Sequence, residues 1–438
     1  MTVPVLIAHQ SPESLLKAQP PGGLVAIAYS LTRFWSSQGG EDVLVAVYER
    51  QADSTRFLVA PDSSALREEL AGFTGDLDAL ADQLQTEVFA SDQAIALTPV
   101  HIPKPWGEEI WYTGMEDRGI ALAGHASRAI PLPWVLSALP EQLTANREQG
   151  IILLKILAPR PEEVFGDLYF ELHEEKREVY VVTAVDERAW PNGEGAIRFG
   201  FDPGVRAEYP DDQAFRKAFA SAVSDYEAVR REIDASLDQR AAKEGQAGDR
   251  EAWLADLPAE LTEKEKTLRE AMNRFTALKP LRVGDVVKVP TLTPHSLQHG
   301  VRTVEFQTPV YERLIVAFAQ KVLTQSHWDT AKAVELMKLE AEPEASFERL
   351  SAGEGVVEER IVDFDDFEVR RFTVAPGAVV HIPSPPDYAV LMQVQGELVL
   401  GICPLQPEQA VMLPRDWESP ALANESANTI IFLVAYPR

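Results

Sequence analysis

Changes in the hydrophobic period along the chain limit the folds that are open to it. From Ile102 to about Phe201, short apolar runs typical of β-strands are separated by Pro, Gly and charged turns. Residues 211–278 instead carry apolar side chains at three- and four-residue intervals, which predicts helices. Strand-like runs return at 281–309 and again at 346–438. The pattern predicts a mainly β protein of sandwiches or barrels, with a helical insertion in one of them.

The predicted domain boundaries follow these changes. We expect an N-terminal accessory α/β segment at 1–95, a β-domain made of 96–207 and 281–340, a helical insertion at 208–280, and a second β-sandwich at 341–438. The insertion should hold two helices, the second of them starting at a capping box of Thr262 and Glu265. The stretches 311–325 and 329–339 are also predicted to be helical.

Composition narrows the classes of function. The chain has 438 residues, of which 45% are hydrophobic and 25% charged, values typical of a globular protein of several domains. Its single cysteine, Cys403, excludes an intramolecular disulfide, so a metal site would have to use His and carboxylate ligands. A formal net charge of −27 opposes nucleic-acid binding, and an anionic substrate would need cations gathered at its site. Without a membrane-spanning run or a signal-peptide pattern, a cytoplasmic protein with no membrane partner is expected.

The segment GDLYFELHEEKREVYVV, residues 166–182, carries candidate metal ligands. Glu171 and His173 lie two residues apart on a predicted strand and therefore share one face. Glu178 opens the next strand after a tight turn, so antiparallel pairing would return it beside them. One imidazole and two carboxylates suit a divalent cation such as zinc or manganese. The alternative is a solvated acidic hairpin that includes Glu174 and Glu175.

A second segment, GDVVKVPTLTPH at 284–295, completes two motifs that resemble those of the cupin family. The spacing of Glu171, His173 and Glu178 matches the cupin pattern G(x)5HxH(x)3–4E, with Glu at the first His position. Gly284, Pro290 and His295 match G(x)5PxG(x)2H(x)3N, with Leu292 at its Gly and His299 at its Asn. The resemblance implies a double cupin, in which two jelly-roll β-sandwiches are joined. The C-terminal one retains only His381 and no cupin spacing, so we expect it to be metal-free.

The long helical insertion between the two motifs is similar to that of the type I mannose-6-phosphate isomerases. The segment PKPWGEEIWY at 103–112 resembles the PWGG segment of that family, and Lys176 with Glu178 preserves its K-x-E. VEFQTP, followed by Arg313, resembles its E-x-Q stretch and downstream arginine. The first hundred residues have no counterpart that we can assign.

This resemblance implies a zinc-dependent aldose–ketose isomerase that interconverts mannose 6-phosphate and fructose 6-phosphate through an enediolate. The implied roles are as follows: Glu171, His173, Glu178 and His295 as metal ligands, Arg313, Glu305 and Lys176 as catalytic residues, and Lys104, Trp106 and Lys321 as substrate-binding residues. Since the family has Gln where Glu171 stands, a harder ion such as Mn²⁺ or Fe²⁺ is also open. His299 is expected to be structural.

Two other functions stay open on sequence grounds. One is a mononuclear iron or manganese cupin oxygenase, and the other is a non-catalytic sugar-binding protein. Each singled-out residue also has a structural alternative: Trp106 as a core residue, Lys176 as an exposed turn residue and Arg313 as a surface arginine. The oligomeric state is not predicted.

Overall fold

The computed structural model describes residues 3–8, 11–52, 54–141, 150–244, 250–340, 343, 346–401 and 403–438. The elements of its N-terminal part are β1 (Val5–Ile7), α1 (Glu13–Lys17), β2 (Leu24–Thr32), β3 (Glu41–Arg50), β4 (Thr55–Pro61), α2 (Ser64–Gly72), α3 (Leu77–Leu84) and β5 (Phe89–Ala90). The strands form a five-stranded sheet in the order β1-β2-β3-β4-β5, with only β1 and β2 running parallel. Helices α2 and α3 pack on one face through Leu66, Leu70, Leu77 and Leu80, which confirms an α/β segment.

Five of the seven strands that follow belong to two larger sheets, and the other two, at 115–116 and 119–120, form a separate two-stranded sheet. They are β6 (Ile95–Thr98), β7 (Val100–Lys104), β8 (Gly107–Trp111), β9 (Met115–Glu116), β10 (Gly119–Ile120), β11 (Leu122–Ala123) and β12 (Ile130–Pro131), followed by helix α4 (Leu132–Ala138).

A β-barrel and its helical insertion make up the middle of the chain. Its elements are β13 (Leu153–Pro159), β14 (Phe170–Leu172), β15 (Glu178–Val185), β16 (Gly195–Phe201), α5 (Pro203–Arg206), α6 (Asp212–Glu244), α7 (Arg250–Ala255), α8 (Ala259–Asn273), β17 (Thr276–Leu281), β18 (Val286–Val289), β19 (His295–Leu297), β20 (Val301–Gln307), β21 (Leu314–Ala317) and α9 (Thr330–Leu336).

The C-terminal part is a series of strands. These are β22 (Glu348–Gly353), β23 (Val356–Asp363), β24 (Phe367–Val374), β25 (Val379–Val380), β26 (Tyr388–Gln395), β27 (Leu398–Leu400), β28 (Cys403–Leu405), β29 (Ala410–Pro414), β30 (Leu422–Ala423) and β31 (Ile430–Pro437).

Two facing sheets form the barrel that carries the predicted ligands. One has the order β18-β15-β20-β13-β8-β7 and the other β17-β16-β19-β14-β21. Leu157 and Tyr180 of the first sheet share a buried core with Ile197, Leu297 and Ile315 of the second. The predicted mainly β, cupin-like fold is confirmed.

The outer face of the six-stranded sheet packs on a third sheet, of order β12-β11-β6-β29-β26-β31-β24-β23-β22. Ile156 and Phe306 belong to the same buried core as Met392 and Leu433. Because β6 pairs with β29, residues 95–98 lie in the sheet of the C-terminal strands. The exact domain boundaries stay a prediction.

The helical insertion covers the outer face of the barrel sheet of order β17-β16-β19-β14-β21. Phe215 and Phe219 of α6 pack in one cluster with Phe170, Leu172 and Val316. The predicted start of the second helix of the insertion was wrong. This helix, α8, begins at Ala259, and Pro258 before it forms no side-chain cap. Glu265 is buried and accepts a hydrogen bond from Tyr226 (2.9 Å), so it makes no capping box with Thr262.

The helix predicted at 311–325 was wrong, whereas α9 agrees with the helix predicted at 329–339. Residues 314–317 form strand β21, and all four are buried. Ile315 faces the barrel core, and Leu314 and Val316 face the helical insertion. A strand buried on both faces is a continuous apolar run, which periodicity cannot distinguish from a buried helix. Among the described helices, none has the length and apolar character needed to cross a membrane.

Candidate metal centre

Neighbouring strands bring three of the predicted ligands together. Glu171 on β14 pairs directly with His295 on β19, and His173 follows the end of β14. One carboxylate oxygen of Glu171 and one ring nitrogen of each histidine lie within 4.8 Å of one another. His173 and His295 are 1% and 2% exposed, so the three atoms converge inside the barrel.

The hydrogen bonds of the two histidines leave their inner nitrogens free for a cation. His173 Nδ1 donates to the carbonyl of Glu312 and His295 Nδ1 to that of Thr293, each at 3.0 Å. A proton on Nδ1 leaves the lone pair on Nε2, as in metal-binding histidines held by backbone carbonyls. Within the described residues, both Nε2 atoms and Glu171 Oε2 are buried and have no hydrogen-bond partner. Buried polar atoms are rarely left unpaired, so this donor set fits a divalent cation.

Glu178 lies against both histidines and is itself strongly held. Its carboxylate oxygens lie 3.4 Å from His173 Nε2 and 3.2 Å from His295 Nε2. Tyr180 donates to Oε2 at 2.6 Å, and Lys176 Nζ lies 2.6 Å from Oε1. Burial acts to raise the pKa of Glu178, but the Lys176 ammonium and the adjacent imidazoles outweigh it and hold this pKa well below its usual value. The carboxylate is therefore ionised, and its 1% exposure rules out the solvated-hairpin alternative for this residue.

Arg313 balances the second carboxylate. Its Nη1 lies 3.6 Å from Glu171 Oε2, and its guanidinium lies 4.4 Å above the ring of Tyr169. Burial acts to raise the pKa of Glu171, but Arg313, His173 and Lys176 together outweigh it and lower this pKa. Burial lowers the pKa of His173, which favours the neutral ligand form. Glu171 and Glu178 together supply two negative charges, which balance the two positive charges of a divalent cation.

In the second cupin motif, the backbone at Leu292 has the conformation that the glycine usual at this position would favour. Leu292, at the Gly position, has φ of +65°, in the left-handed region that costs a branched residue roughly 1–2 kcal/mol. Its N–H donates to the carbonyl of His173 at 2.7 Å. This bond joins the loop before His295 to the end of β14.

A buried acid and a buried lysine lie on the six-stranded sheet beside these ligands. Glu305 on β20 pairs with Tyr180 on one side and Lys155 on the other. Glu305 is 1% exposed, and neither of its carboxylate oxygens has a hydrogen-bond partner in the described chain. Burial raises the pKa of Glu305 well above its usual value, and the charge of nearby Glu178 adds to this, although Lys155 Nζ lies only 3.3 Å away.

Sequence reasoning missed Lys155. The available signal was a single lysine inside the apolar run IILLKILAP, at a position that pairs with Glu305. Burial acts to lower its pKa, but the nearby carboxylates of Glu109, Glu305 and Glu178 together outweigh this effect and raise it. Lys155 is therefore a permanent buried cation in the site.

Lys104, which was predicted to bind substrate, belongs to the same network of charged side chains. Its Nζ lies 3.2 Å from Glu109 Oε2, and Glu109 also accepts from the indole of Trp111 at 2.8 Å. Burial opposes ionisation of Glu109, yet Lys155 and Lys104 lower its pKa to about 2.

Two of the predicted substrate-binding residues lie elsewhere. Trp106 is 1% exposed and packs in the barrel core with Leu157 and Tyr180, so the structure leaves no ring face for a sugar and the core alternative holds. Lys321 is exposed and pairs with Asp238 of α6 at 2.7 Å rather than with the ligand cluster. His299 bonds to Asp167 at 2.7 Å and stacks on Trp190 at 4.7 Å, which is a structural role.

Comparison with known proteins shows the fold. No family model and no curated protein matches the sequence. Among solved structures, the mannose 6-phosphate isomerase of Bacillus subtilis is 13% identical, with a TM-score of 0.52, over 79% of this chain and 100% of its own. A zinc-bound mannose 6-phosphate isomerase is 15% identical, with a TM-score of 0.55 and the same coverage. A phosphomannose isomerase variant from Salmonella typhimurium is 15% identical, with a TM-score of 0.54, over 79% of this chain and 99% of its own. At such identities these structures establish a shared cupin-like fold.

Proposed function

We propose that this protein is a metal-dependent aldose–ketose isomerase of sugar phosphates, with mannose 6-phosphate and fructose 6-phosphate as its substrate pair. The observation that carries the proposal is the trio of buried, unpartnered ligand atoms on Glu171, His173 and His295, within 4.8 Å of one another. They lie in the same barrel as the buried acid Glu305 and the buried cation Lys155. Solved structures with this fold are named for that isomerisation.

Glu171, His173, Glu178 and His295 are the proposed holders of the ion. Zinc is the first candidate, since one of the similar structures is zinc-bound. When bound, such an ion acts as a Lewis acid that polarises an oxygen of the substrate. Lys176 keeps Glu178 ionised, because its ammonium lies 2.6 Å from the carboxylate.

Glu305 is the proposed proton carrier. Isomerisation removes a proton from the carbon beside a carbonyl and returns it to the neighbouring carbon. A carboxyl group whose pKa is raised above its usual value suits this proton transfer, because its ionised form is a stronger base. Its oxygens have no competing hydrogen bond from the described residues.

Buried cations are the proposed stabilisers of negative charge on the substrate. Lys155 Nζ lies 3.3 Å from Glu305, where it could meet an enediolate oxygen formed by proton removal. Arg313, Lys104 and Lys176 add three more cationic side chains. Such a gathering is what an anionic substrate needs in a chain of net charge −27.

A coupled assay for conversion of mannose 6-phosphate, on full-length protein of measured metal content, tests the proposal. Wild type should form fructose 6-phosphate, His295→Ala should lose both metal and activity, and His101→Ala should keep both. His101 is a matched control because its side chain is 60% exposed and, among the described residues, pairs with Glu108 on the neighbouring strand. Zinc-loaded wild type that converts no sugar phosphate would refute the proposal. Dependence on a redox-active ion would favour an oxygenase instead.

A further inference from the structure

A cavity of about 280 Å³ lies where several strands of the six-stranded sheet end. We name it the entrance pocket and define it by Phe34, Trp35, Met115, Leu153, Val310 and Tyr311. Met115 begins β9, which comes after β8, Leu153 begins β13, and Val310 and Tyr311 follow β20. Phe34 and Trp35 come from the loop between β2 and β3, so the N-terminal segment supplies one wall of the pocket.

The entrance pocket adjoins the candidate metal centre. Leu153 pairs with Gln307, and Gln307 pairs in turn with the ligand residue Glu178, so the three lie in one row across β13, β20 and β15. Tyr311 is two residues from Arg313, whose guanidinium lies 6.0 Å from its ring. The pocket therefore borders the strands that carry the metal ligand Glu178.

The N-terminal wall is held in place by specific contacts. Arg33 Nε donates to Asp42 at 2.8 Å across the base of the loop. The N–H of Ser37 donates to Asp117 Oδ2 at 2.8 Å, which ties the loop to the turn between β9 and β10. Phe34 and Trp35 meet edge to face, with their ring centroids 5.0 Å apart. These contacts hold both rings in place before any ligand binds.

The lining favours a neutral sugar ring over a phosphate. Three of the six defining side chains are aromatic, and aromatic faces bind the apolar C–H face of a ring. Of the residues described around this cavity, none is a lysine or an arginine, and Glu116 supplies a negative charge. The nearby Arg118 is paired with Glu116 and stacks 4.4 Å above Tyr311, so it adds a polar edge rather than an unpaired cation. The volume is close to the lower end of small-molecule sites, roughly 300 Å³.

The structure assigns to the entrance pocket the binding of a neutral sugar unit, with Phe34 and Trp35 as its specificity-determining residues. This unit is part of a substrate whose reacting end lies at the metal centre, which rests on the proposed function. The substrate class is thereby extended from single sugar phosphates to sugars that carry a second, uncharged ring. In this assignment the N-terminal segment contributes to substrate binding.

Isothermal titration of the metal-loaded, full-length protein with mannobiose and with mannose 6-phosphate tests the inference. Trp35→Ala and Phe34→Ala should each weaken mannobiose binding roughly three- to tenfold, as expected for the loss of one aromatic contact. Both variants should keep their affinity for mannose 6-phosphate. Trp35→Tyr should restore most of the mannobiose affinity. Ile7→Ala, which removes an apolar side chain 68% exposed on the same N-terminal segment, should change neither affinity.

Three outcomes would overturn the assignment. These are no saturable binding of mannobiose to wild type, mannobiose affinity that is unchanged in both variants, or an equal loss for both sugars, which would indicate a collapsed loop. The proposed function fails separately. A protein that binds mannobiose through Trp35 and Phe34 but isomerises no sugar phosphate would keep the pocket assignment and lose the isomerase proposal.

Discussion

Glu171 and His295 face each other as paired residues of adjacent antiparallel strands, although the whole helical insertion separates them in the chain. The pairing positions a carboxylate and an imidazole through backbone hydrogen bonds rather than through flexible loops. A site on paired strands keeps its geometry without a bound ion, because the sheet itself holds the ligand side chains in position. The consequences of this arrangement can be measured.

Replacing Glu171 by Gln should weaken binding of a divalent cation by about 10–100-fold. The side chain keeps its shape but loses one of the two negative charges that face the ion, and Arg313 then adds an unopposed positive charge 3.6 Å from the ligand atom. Chelator competition measures the affinity. Glu175→Gln is the matched control, since it removes the same charge from an exposed residue of the following turn. Equal affinities in the two variants would show that Glu171 is not a ligand.

Replacing Glu305 by Gln should lower kcat for mannose 6-phosphate by roughly 10²–10⁴-fold, because the amide cannot carry the proton. The metal content should be unchanged, since Glu305 is outside the ligand trio. Steady-state kinetics with parallel metal analysis measure both. Glu108→Gln, a change at a half-exposed carboxylate on β8, should leave kcat as it is. A variant that lost metal together with activity would make Glu305 a structural residue.

The Glu109 carboxylate should make stability depend on pH in the acid range. Its folded pKa of about 2 lies below the usual 4.5, so its contribution is fully present above about pH 4.5 and disappears as the pH falls toward 2. This difference corresponds to about 3 kcal/mol of unfolding free energy. Wild type should therefore melt well above Glu109→Gln at pH 7, and the two melting temperatures should approach each other at pH 3. Glu108→Gln should show no such pH-dependent gap, and a gap independent of pH in Glu109→Gln would contradict the prediction.

Gly107 should tolerate no side chain, because it packs against β13. It has φ of +148°, and a Cβ added there would lie 2.2 Å from the carbonyl oxygen of Ala158. Gly107→Ala should lower the unfolding free energy by about 3 kcal/mol or more, through overlap in addition to backbone strain. Gly193→Ala provides the comparison, since φ is +66° there but no atom lies within 4 Å of the added Cβ. Its loss should be only about 1–2 kcal/mol. Thermal melting compares the two, and equal losses would exclude the overlap.

Local spacing was enough to predict much of the candidate site. Residues two apart on a strand share a face, so Glu171 and His173 were predicted to act together, and the structure places their ligand atoms within reach of one ion. The family resemblance added His295 and Arg313, both of which the structure brings to Glu171. Their roles in binding and catalysis stay predictions.

Other features depended on which face of each strand is buried. Lys155 pairs with Glu305 only because β13 lies beside β20, and Trp106 faces the barrel core instead of its mouth. The apolar run at 314–317 is a strand because both of its faces are covered, one by the barrel and one by the insertion. Periodicity within one segment carries no information about such neighbours.

The sequence by itself determined the alternation of side chains along each strand, the helical period of the insertion, and the residue types able to hold a cation. Those properties are local, since they depend on backbone geometry and on residues a few positions apart. Only the tertiary structure decided that Glu305 is buried beside Lys155, and that Phe34 and Trp35 line a pocket next to Tyr311. Burial and charge pairing arise from residues distant in the chain, and these determine pKa values and the shape of the pocket.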